Sequence, residues 1–273
     1  MKALLGNQNQ KRLSDFFGSR QHAAICAGEQ LEQLTPVISE YLKQEYPGSV
    51  ITRLEPEKSA ITIDQIRALK QSLVLKRRDA QLVQIIEHAD KMTLEAQNSF
   101  LKLLEEPPEN VRFLLFTGAK SALLSTIVSR ARIVRINRLD EQEATEFYAE
   151  QGVDPDELRR ALMISRASPG RLFALLAGDS EYGHTIQRAK DLLRAPLWER
   201  LAQIDSLVKD KDGLYDLFLA LDDVLRAATR SAQVSAPKLR AIAATREKIY
   251  EAQRALRSNA NAKLVTLDVF LSL

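Results

Sequence analysis

The sequence predicts an α/β domain with a parallel sheet, followed by a region built of helices alone. Three observations carry that expectation. Between His22 and Asn137 five short apolar, branched-rich segments alternate with helical patterns. From Leu139 onward the strand-like segments stop and only helical periodicity continues. Proline, glycine and capping residues then punctuate the chain where helices should begin and end. Strands apolar on both faces, each separated by a crossover helix, belong to a sheet covered on both sides.

The five strand segments are HAAIC, SVITRL, QLVQIIE, RFLLFTG and RIVRI, in that order. Thr62 and Gln65 form a capping-box pattern that opens a helix carrying Ile63, Ile66, Leu69 and Leu73 on its apolar side. The helix after the third strand puts Ala96, Phe100, Leu103 and Leu104 on one side and is stopped by Pro107 and Pro108. Asp154-Pro155 and Ser168-Pro169 each read as an N-cap followed by proline at the first helical position, and Gly152 and Gly178 sit where helices end. These signals divide the chain into an α/β base over 1–138, three short helices over 139–178, and a second helical unit over 179–273 with breaks near Pro196, Gly213 and Pro237.

With 45% hydrophobic residues and few glycines and prolines, the chain is expected to fold rather than stay disordered. Its 39 lysines and arginines against 36 acids leave so small an excess that any nucleic-acid contact must be local. The single cysteine, Cys26, excludes a disulfide framework or a multi-cysteine zinc site and reads as a buried strand residue. The opening MKALLGNQNQKRL turns polar after two leucines, and no apolar run reaches membrane-spanning length, so the expected location is the cytoplasm, with no membrane partner.

The third strand and its helix begin like the core of a nucleotide hydrolase. A phosphate-binding loop needs glycines to turn backbone N–H groups toward phosphates, a lysine for the outer ones and a hydroxyl for magnesium. Here the first strand leads into Ala27-Gly28-Glu29-Gln30-Leu31-Glu32, with one glycine, no lysine and no hydroxyl, while Glu29 and Glu32 would repel a triphosphate. The third strand should end in an aspartate for magnesium and a second carboxylate for the attacking water. Those positions hold Glu87 and His88, and a histidine largely neutral at pH 7 is a poor replacement for a carboxylate. His88 and Asp90 are near enough for a metal, but nothing supplies further ligands, so no metal and no cofactor are expected. Arg130, in LLSTIVSRARIVRI, stands between a short helix and the fifth strand; among Arg132, Arg135 and Arg138 it reads by itself as an ordinary surface arginine.

The pieces IIEHADKM, AQNSFLKLLEEPPEN, RFLLFTG and LLSTIVSRA resemble the AAA+ clamp-loader family of bacterial DNA polymerase III. The resemblance covers nearly the whole chain, strongest from Thr62 to Ile136 and weakest from Tyr182 to Ser258. It implies an AAA+ base domain, a small helical lid and a C-terminal helical collar. Ser129-Arg130-Ala131 stands where the family usually has Ser-Arg-Cys, whose arginine reaches as a finger to ATP held by the adjacent motor subunit. Ala167 to Arg171 resembles the sensor-two region; beside a loop that lacks phosphate-binding residues, Arg171 is expected to be structural or a remnant, as are Gly28, Glu87 and His88. Asn259, Asn261, Leu264 and Leu267, with Phe270 and Leu271, resemble the last collar helix, and Asp268 stands where glutamate is common. The four-cysteine zinc module of many relatives is missing between Glu29 and Ser49.

The resemblance therefore implies a nonhydrolysing subunit, not itself an enzyme, whose partners are the tau/gamma motor and delta subunits, a sliding clamp and primed DNA. Two alternatives stand beside it. One is a motor-type ATPase with an unconventional pocket, which would bind magnesium-ATP alone. The other is a free-standing DNA-binding module using Lys76, Arg77, Arg78 and the arginines after Arg130, which would bind DNA with steep salt dependence.

Overall fold

A computed structural model describes residues 1–28, 31, 33–57, 59–75, 80–230, 235–258 and 260–273. The chain forms two compact units: Met1–Gly152 with Ser168–Phe173, and Val153–Ala167 with Ala174–Leu273.

In the first unit α1 (Asn7–Phe17) precedes β1 (Ala23–Ala27), and α2 (Leu34–Glu45) leads to β2 (Val50–Leu54). Then come α3 (Ile63–Leu75), β3 (Leu82–Ile86), α4 (Leu94–Glu105), β4 (Val111–Thr117), α5 (Ser125–Arg130), β5 (Arg132–Arg135) and α6 (Glu141–Ala149). The strands form one sheet in the order β2-β3-β4-β1-β5, with every neighbouring pair parallel. Each expected strand is present, with ends shifted by a residue or so: Glu87 and Ile136 fall just outside, although their N–H groups still bond to Leu54 and Ala27 at 2.9 Å each.

Strand alternation sends side chains into two cores, one on each face. Ala23, Ile25, Phe113 and Leu115 face Ile66, Leu69, Phe100, Leu103 and Ile127 of α3, α4 and α5. Ala24, Cys26, Leu114, Phe116 and Val134 face Leu13, Phe16, Val37, Ile38 and Leu42 of α1 and α2. The capping box forms: Thr62 N–H donates to Gln65 Oε1 at 3.0 Å and Gln65 N–H to Thr62 Oγ1 at 3.4 Å. Thr93 caps α4 by accepting from Ala96 N–H at 3.2 Å, and the helix ends at Glu105 ahead of the two prolines. The sequence reading passes over α1, although Leu13, Phe16 and Phe17 stand at helical spacing and are buried. The helix is held by buried Asn9, whose amide donates to the Leu5 and Asn137 carbonyls and accepts from Asn137 N–H at 2.8 Å.

The grouping of helices differs from the division at 138 and 178. The three helices expected over 139–178 are all there, but α6 packs with the sheet unit. Tyr148 Oη accepts from Leu4 N–H at 3.3 Å, and Glu143 accepts from Asn7 N–H at 2.8 Å. By contrast α7 (Pro155–Ser165), capped by Asp154, belongs to the second unit, and α8 (Pro169–Ala177) is divided at Phe173.

The second unit continues with α9 (Glu181–Arg194), α10 (Leu197–Ala202), α11 (Ile204–Leu207), α12 (Lys211–Thr229), α13 (Ala236–Arg257) and α14 (Ala262–Ser272). Leu214, Leu217, Phe218 and Leu221 make α12 the central helix, packed by Ile186 and Leu192 of α9, Ile242 and Ile249 of α13 and Phe270 of α14. The break expected near Gly213 lies instead at Asp210, whose carboxylate accepts from Gly213 N–H at 3.0 Å; glycine suits the first turn because a Cβ there would strike that same carboxylate. Among the described residues no helix is long and apolar enough to cross a membrane.

A charged network joins α7, α9, α12 and α13 inside this unit. Asp223, almost wholly buried, pairs with Arg166 at 3.5 Å and Arg226 at 3.4 Å and accepts from Tyr182 Oη at 3.2 Å. Asp222 accepts from Arg246 Nε at 2.7 Å. Arg226 also closes the end of α7 by donating to the Met163 and Ile164 carbonyls at 3.1 and 3.0 Å; burial, then the nearby Arg166, draws its pKa down. Removing a buried acid strands its cations, so Asp223→Ala should cost about 3–5 kcal/mol in urea unfolding; a loss under about 1 kcal/mol would mean the network does not hold these helices.

Burial pushes the Cys26 thiol from 9.0 up to about 12. A raised acid pKa in the folded state means that its contribution to stability is whole below 9.0 and is lost as pH rises toward 12. At pH 8 a thiol reagent should therefore label Cys26 only when denaturant is added; rapid labelling of the folded chain would contradict the burial.

Candidate functional site

A parallel sheet has two chemically distinct ends, and the residues singled out by the sequence divide between them. Gly28 follows β1, Glu87 and His88 follow β3, and Thr117 closes β4, so these lie at the carboxyl end, where α/β folds hold their ligands. Arg130 stands directly before β5, at the amino end. The strands between are about five residues long, which separates the two sets by roughly 15 Å along the strand direction.

At the carboxyl end Gly28 has a packing reason to be glycine: a Cβ would stand 2.5 Å from the Ile136 carbonyl oxygen and 3.1 Å from the Leu31 side chain. Glu87 turns toward Arg53 at 3.8 Å. His88 is exposed and takes the left-handed conformation at φ 48°, turning the chain into a short 3-10 turn over Ala89–Lys91. Histidine tolerates that conformation better than most residues, which accounts for the end of the strand without a ligand. Asp90 is engaged by the Thr117 hydroxyl at 2.9 Å rather than by His88. Among the described residues no cluster of three or more His, Cys, Asp or Glu is placed to hold a metal ion. Glu29 and Glu32, on which the charge argument at the loop rests, lie outside the described residues, as do Lys76, Arg77, Arg78 and Asn259.

At the amino end Arg130 closes α5 with its side chain 40% exposed. Its Nη2 meets Glu105 Oε1 at 3.0 Å and its Nη1 donates to the Thr126 carbonyl at 3.2 Å. An exposed pair of this kind is worth roughly 0–1 kcal/mol, so the guanidinium is oriented but easily released. Ser129 beside it is exposed and donates to the Thr126 carbonyl at 3.0 Å. Ala131 is 8% exposed and packs into the core, so a small side chain suffices there while Ser129 and Arg130 face out.

Two residues of this site escaped the sequence reading. Glu105, at the end of the proline-stopped helix, pairs with Arg130 from 25 positions away, which no local pattern signals. Gln97 is buried on α4, where apolar periodicity leaves it unremarked. Its amide donates to the Met92 and Ala122 carbonyls at 3.2 and 3.1 Å, and its carbonyl accepts from Leu124 N–H at 2.8 Å. It thereby fastens the start of α5, and hence Arg130, to α4.

The remaining expected residues have separate places. Arg171 is buried at 3% exposure on α8, within the packing of the first unit. Asn261 is the N-cap of α14, accepting from Lys263 and Leu264 N–H groups at 3.0 and 3.3 Å. Leu267 is partly buried against the helical core, while Leu264 and Leu271 are 64% and 58% exposed.

Residues 21–140 match the family model described as DNA polymerase III, delta subunit. Delta-prime of Escherichia coli K12 is 36% identical over 132 residues, covering 46% of this chain and 39% of that protein. The chain resembles the delta-prime subunit of DNA polymerase III. Delta-prime of Bacillus subtilis 168 is 34% identical over 107 residues, covering 39% of this chain and 32% of that protein, so the chain's match spans well under half of these curated delta-prime relatives. A DNA polymerase III gamma subunit-related protein of Thermotoga maritima shares the fold, superposing with a TM-score of 0.56 at 22% identity over 97% of this chain and 98% of that one. The family-model match over residues 21–140 takes in both ends of the sheet, Gly28 and Arg130 included.

Gly28→Ala would press its methyl onto the Ile136 carbonyl. The expected result is a destabilisation of about 1–3 kcal/mol in chemical unfolding; an unchanged midpoint would show that β5 yields there at no cost.

Proposed function

We propose that the chain is a nonhydrolysing clamp-loader subunit of DNA polymerase III, which helps place a sliding clamp on primed DNA and lends Arg130 to ATP held by a neighbouring subunit. The observation that carries this reading is the position of Arg130. An exposed guanidinium at the amino end of a parallel sheet is on the wrong side of its own sheet to serve a nucleotide at the carboxyl end, and serves one on another chain instead. The loop residues Gly28 to Glu32, without lysine or hydroxyl, and the pair Glu87-His88 support a degenerate nucleotide site, so the chain has no ATPase activity of its own in this reading.

The partners are the tau/gamma motor and delta subunits, with the clamp and primed DNA engaged by the assembly in the cytoplasm. The helical collar over 179–273 joins the ring, with the exposed Leu264 and Leu271 turned to a neighbour and Asn261 and Leu267 holding α14 in place. In isolation Glu105 holds Arg130; in the ring a phosphoryl group developing charge replaces it, as a finger does.

The test is ATP hydrolysis and clamp loading by a complex reconstituted from motor, delta and this chain, comparing wild type with Arg130→Ala after confirming that both assemble. Hydrolysis at the neighbouring site should fall by roughly a thousandfold. An unchanged rate would end the finger assignment, and failure of the wild type to assemble would end the clamp-loader reading.

A further inference from the structure

The two edges of the sheet are finished differently. At β5 the Arg12 guanidinium donates to the Arg135 carbonyl at 2.8 Å, so the main chain there is partly covered. At the other edge stands β2, with β3 on its inner side. Val50 N–H donates to the Gln81 carbonyl at 2.8 Å and the Leu54 carbonyl accepts from Glu87 N–H at 2.9 Å, so Val50, Thr52 and Leu54 turn their peptide groups inward. The alternation of a parallel ladder then sends the N–H and C=O groups of Ile51 and Arg53 outward. Among the described residues none of these outward groups has a hydrogen-bond partner. No proline interrupts the strand, and its one charged side chain, Arg53, is drawn aside by Glu55 and Glu87 at 3.6 and 3.8 Å.

Beside this edge a groove of about 660 Å³ runs between β2 and α3. Thr52, Leu54 and Gln84 line it from the sheet, and Gln65, Ala68 and Leu69 from the helix. Gln84 is the one polar residue of β3, 2% exposed, and its Oε1 accepts from the Thr52 hydroxyl at 2.6 Å. Gln65 Nε2 donates to the Glu55 carbonyl at 2.9 Å and so fixes the start of α3 against the chain leaving β2. The groove is thus formed before anything enters it, with a floor part apolar and part hydroxyl and amide. Its carboxyl end is acidic. Glu55, Glu57, Asp64 and Glu87 stand there against Arg53 and Arg67, and among the described residues Glu57 forms no ion pair.

We infer that this edge takes up an extended peptide segment of a partner protein as a further strand, antiparallel to β2, with branched side chains in the groove and basic residues at its leading end. Open main-chain groups supply affinity in this mode, and a groove that receives alternate side chains supplies selectivity. Peptide residues opposite Thr52 and Leu54 share their face and enter the groove, where a branched side chain meets Leu54, Ala68 and Leu69. Running antiparallel, the peptide brings its leading residues to Glu57 and Asp64. Nucleic acid does not fit, because two carboxylates line the groove and its single cation is already paired. A docked helix, whose N–H and C=O groups are bonded internally, leaves the edge unpaired. A second copy adding its own β2 brings VITRL, whose single cation is likewise held by Glu55 and Glu87.

This inference does not rest on the Arg130 reading, since the measurement uses the full chain without ATP or DNA. The probe is a fluorescent peptide of two lysines followed by three valine-serine repeats, titrated by anisotropy. Saturable binding is expected, with hydrogen exchange slowed at the Ile51 and Arg53 amides. Arg53→Pro removes an outward N–H and no bond to β3, at a position where an edge strand accepts proline. Affinity should fall roughly tenfold. Arg53→Gln keeps the N–H and should stay within about threefold of wild type. Ala68→Phe, at an exposed position on α3, fills the groove and should weaken binding as much as the proline does. Each variant's fold is checked by urea unfolding, and Ala68→Phe carries the test alone if Arg53→Pro does not fold. Glutamates in place of the two lysines should weaken the peptide. No saturable binding at millimolar peptide, wild-type affinity in Ala68→Phe, or equal binding of the glutamate peptide would each overturn the assignment. So would protection of Ile51 and Arg53 that rises with protein concentration in the absence of peptide, which would make the occupant a second copy of this chain.

Discussion

The pairing of β1 with β5 governs most of what this chain can do. β1 lies between β4 and β5 with Ala24, Ile25 and Cys26 fully buried, and the ladder to β5 runs from Ala24 opposite Arg132 to Ala27 opposite Arg135. One further bond, Ile136 N–H to the Ala27 carbonyl at 2.9 Å, brings the Ile136 carbonyl so close to Gly28 that no side chain fits there. That register sets the start of β5, where α5 delivers Arg130. A shift of one residue would turn Val134 out of the core and Arg135 into it.

Two interactions then give Arg130 its address. Gln97 ties the entry of α5 to α4 by three hydrogen bonds within a buried setting, where satisfied polar groups rigidify their surroundings. Glu105, at the other end of α4, holds the guanidinium by an exposed contact of little net energy. The helix is thus fixed and its terminal side chain is not. That combination of a rigid base and a loosely held tip suits the proposed reach of Arg130 to a phosphate on another chain.

The inner strands β1, β3 and β4 were legible because burial on both faces leaves apolar runs, and the caps Thr62 and Asp154 were legible because each acts on a residue three positions away. What depended on distant partners was not. The allegiance of α6 to the sheet unit rests on Tyr148 meeting Leu4, and the Arg130–Glu105 pair joins two helix ends. Gln97 breaks an apolar pattern without announcing what it bonds. Gly213 was readable as a breaker, but its role is to make room for the Asp210 cap. His88 was the opposite case: an odd residue at a strand end whose backbone conformation, rather than its imidazole, explains its place.

The central claim is that the chain acts on a neighbour's ATP while holding none of its own. Equilibrium dialysis of the isolated protein with labelled ATP and magnesium tests it most directly. The account predicts no saturable, magnesium-dependent binding at millimolar nucleotide, with a tau/gamma motor subunit binding normally alongside. Stoichiometric binding to this chain would contradict it and make the carboxyl end of the sheet a working nucleotide site.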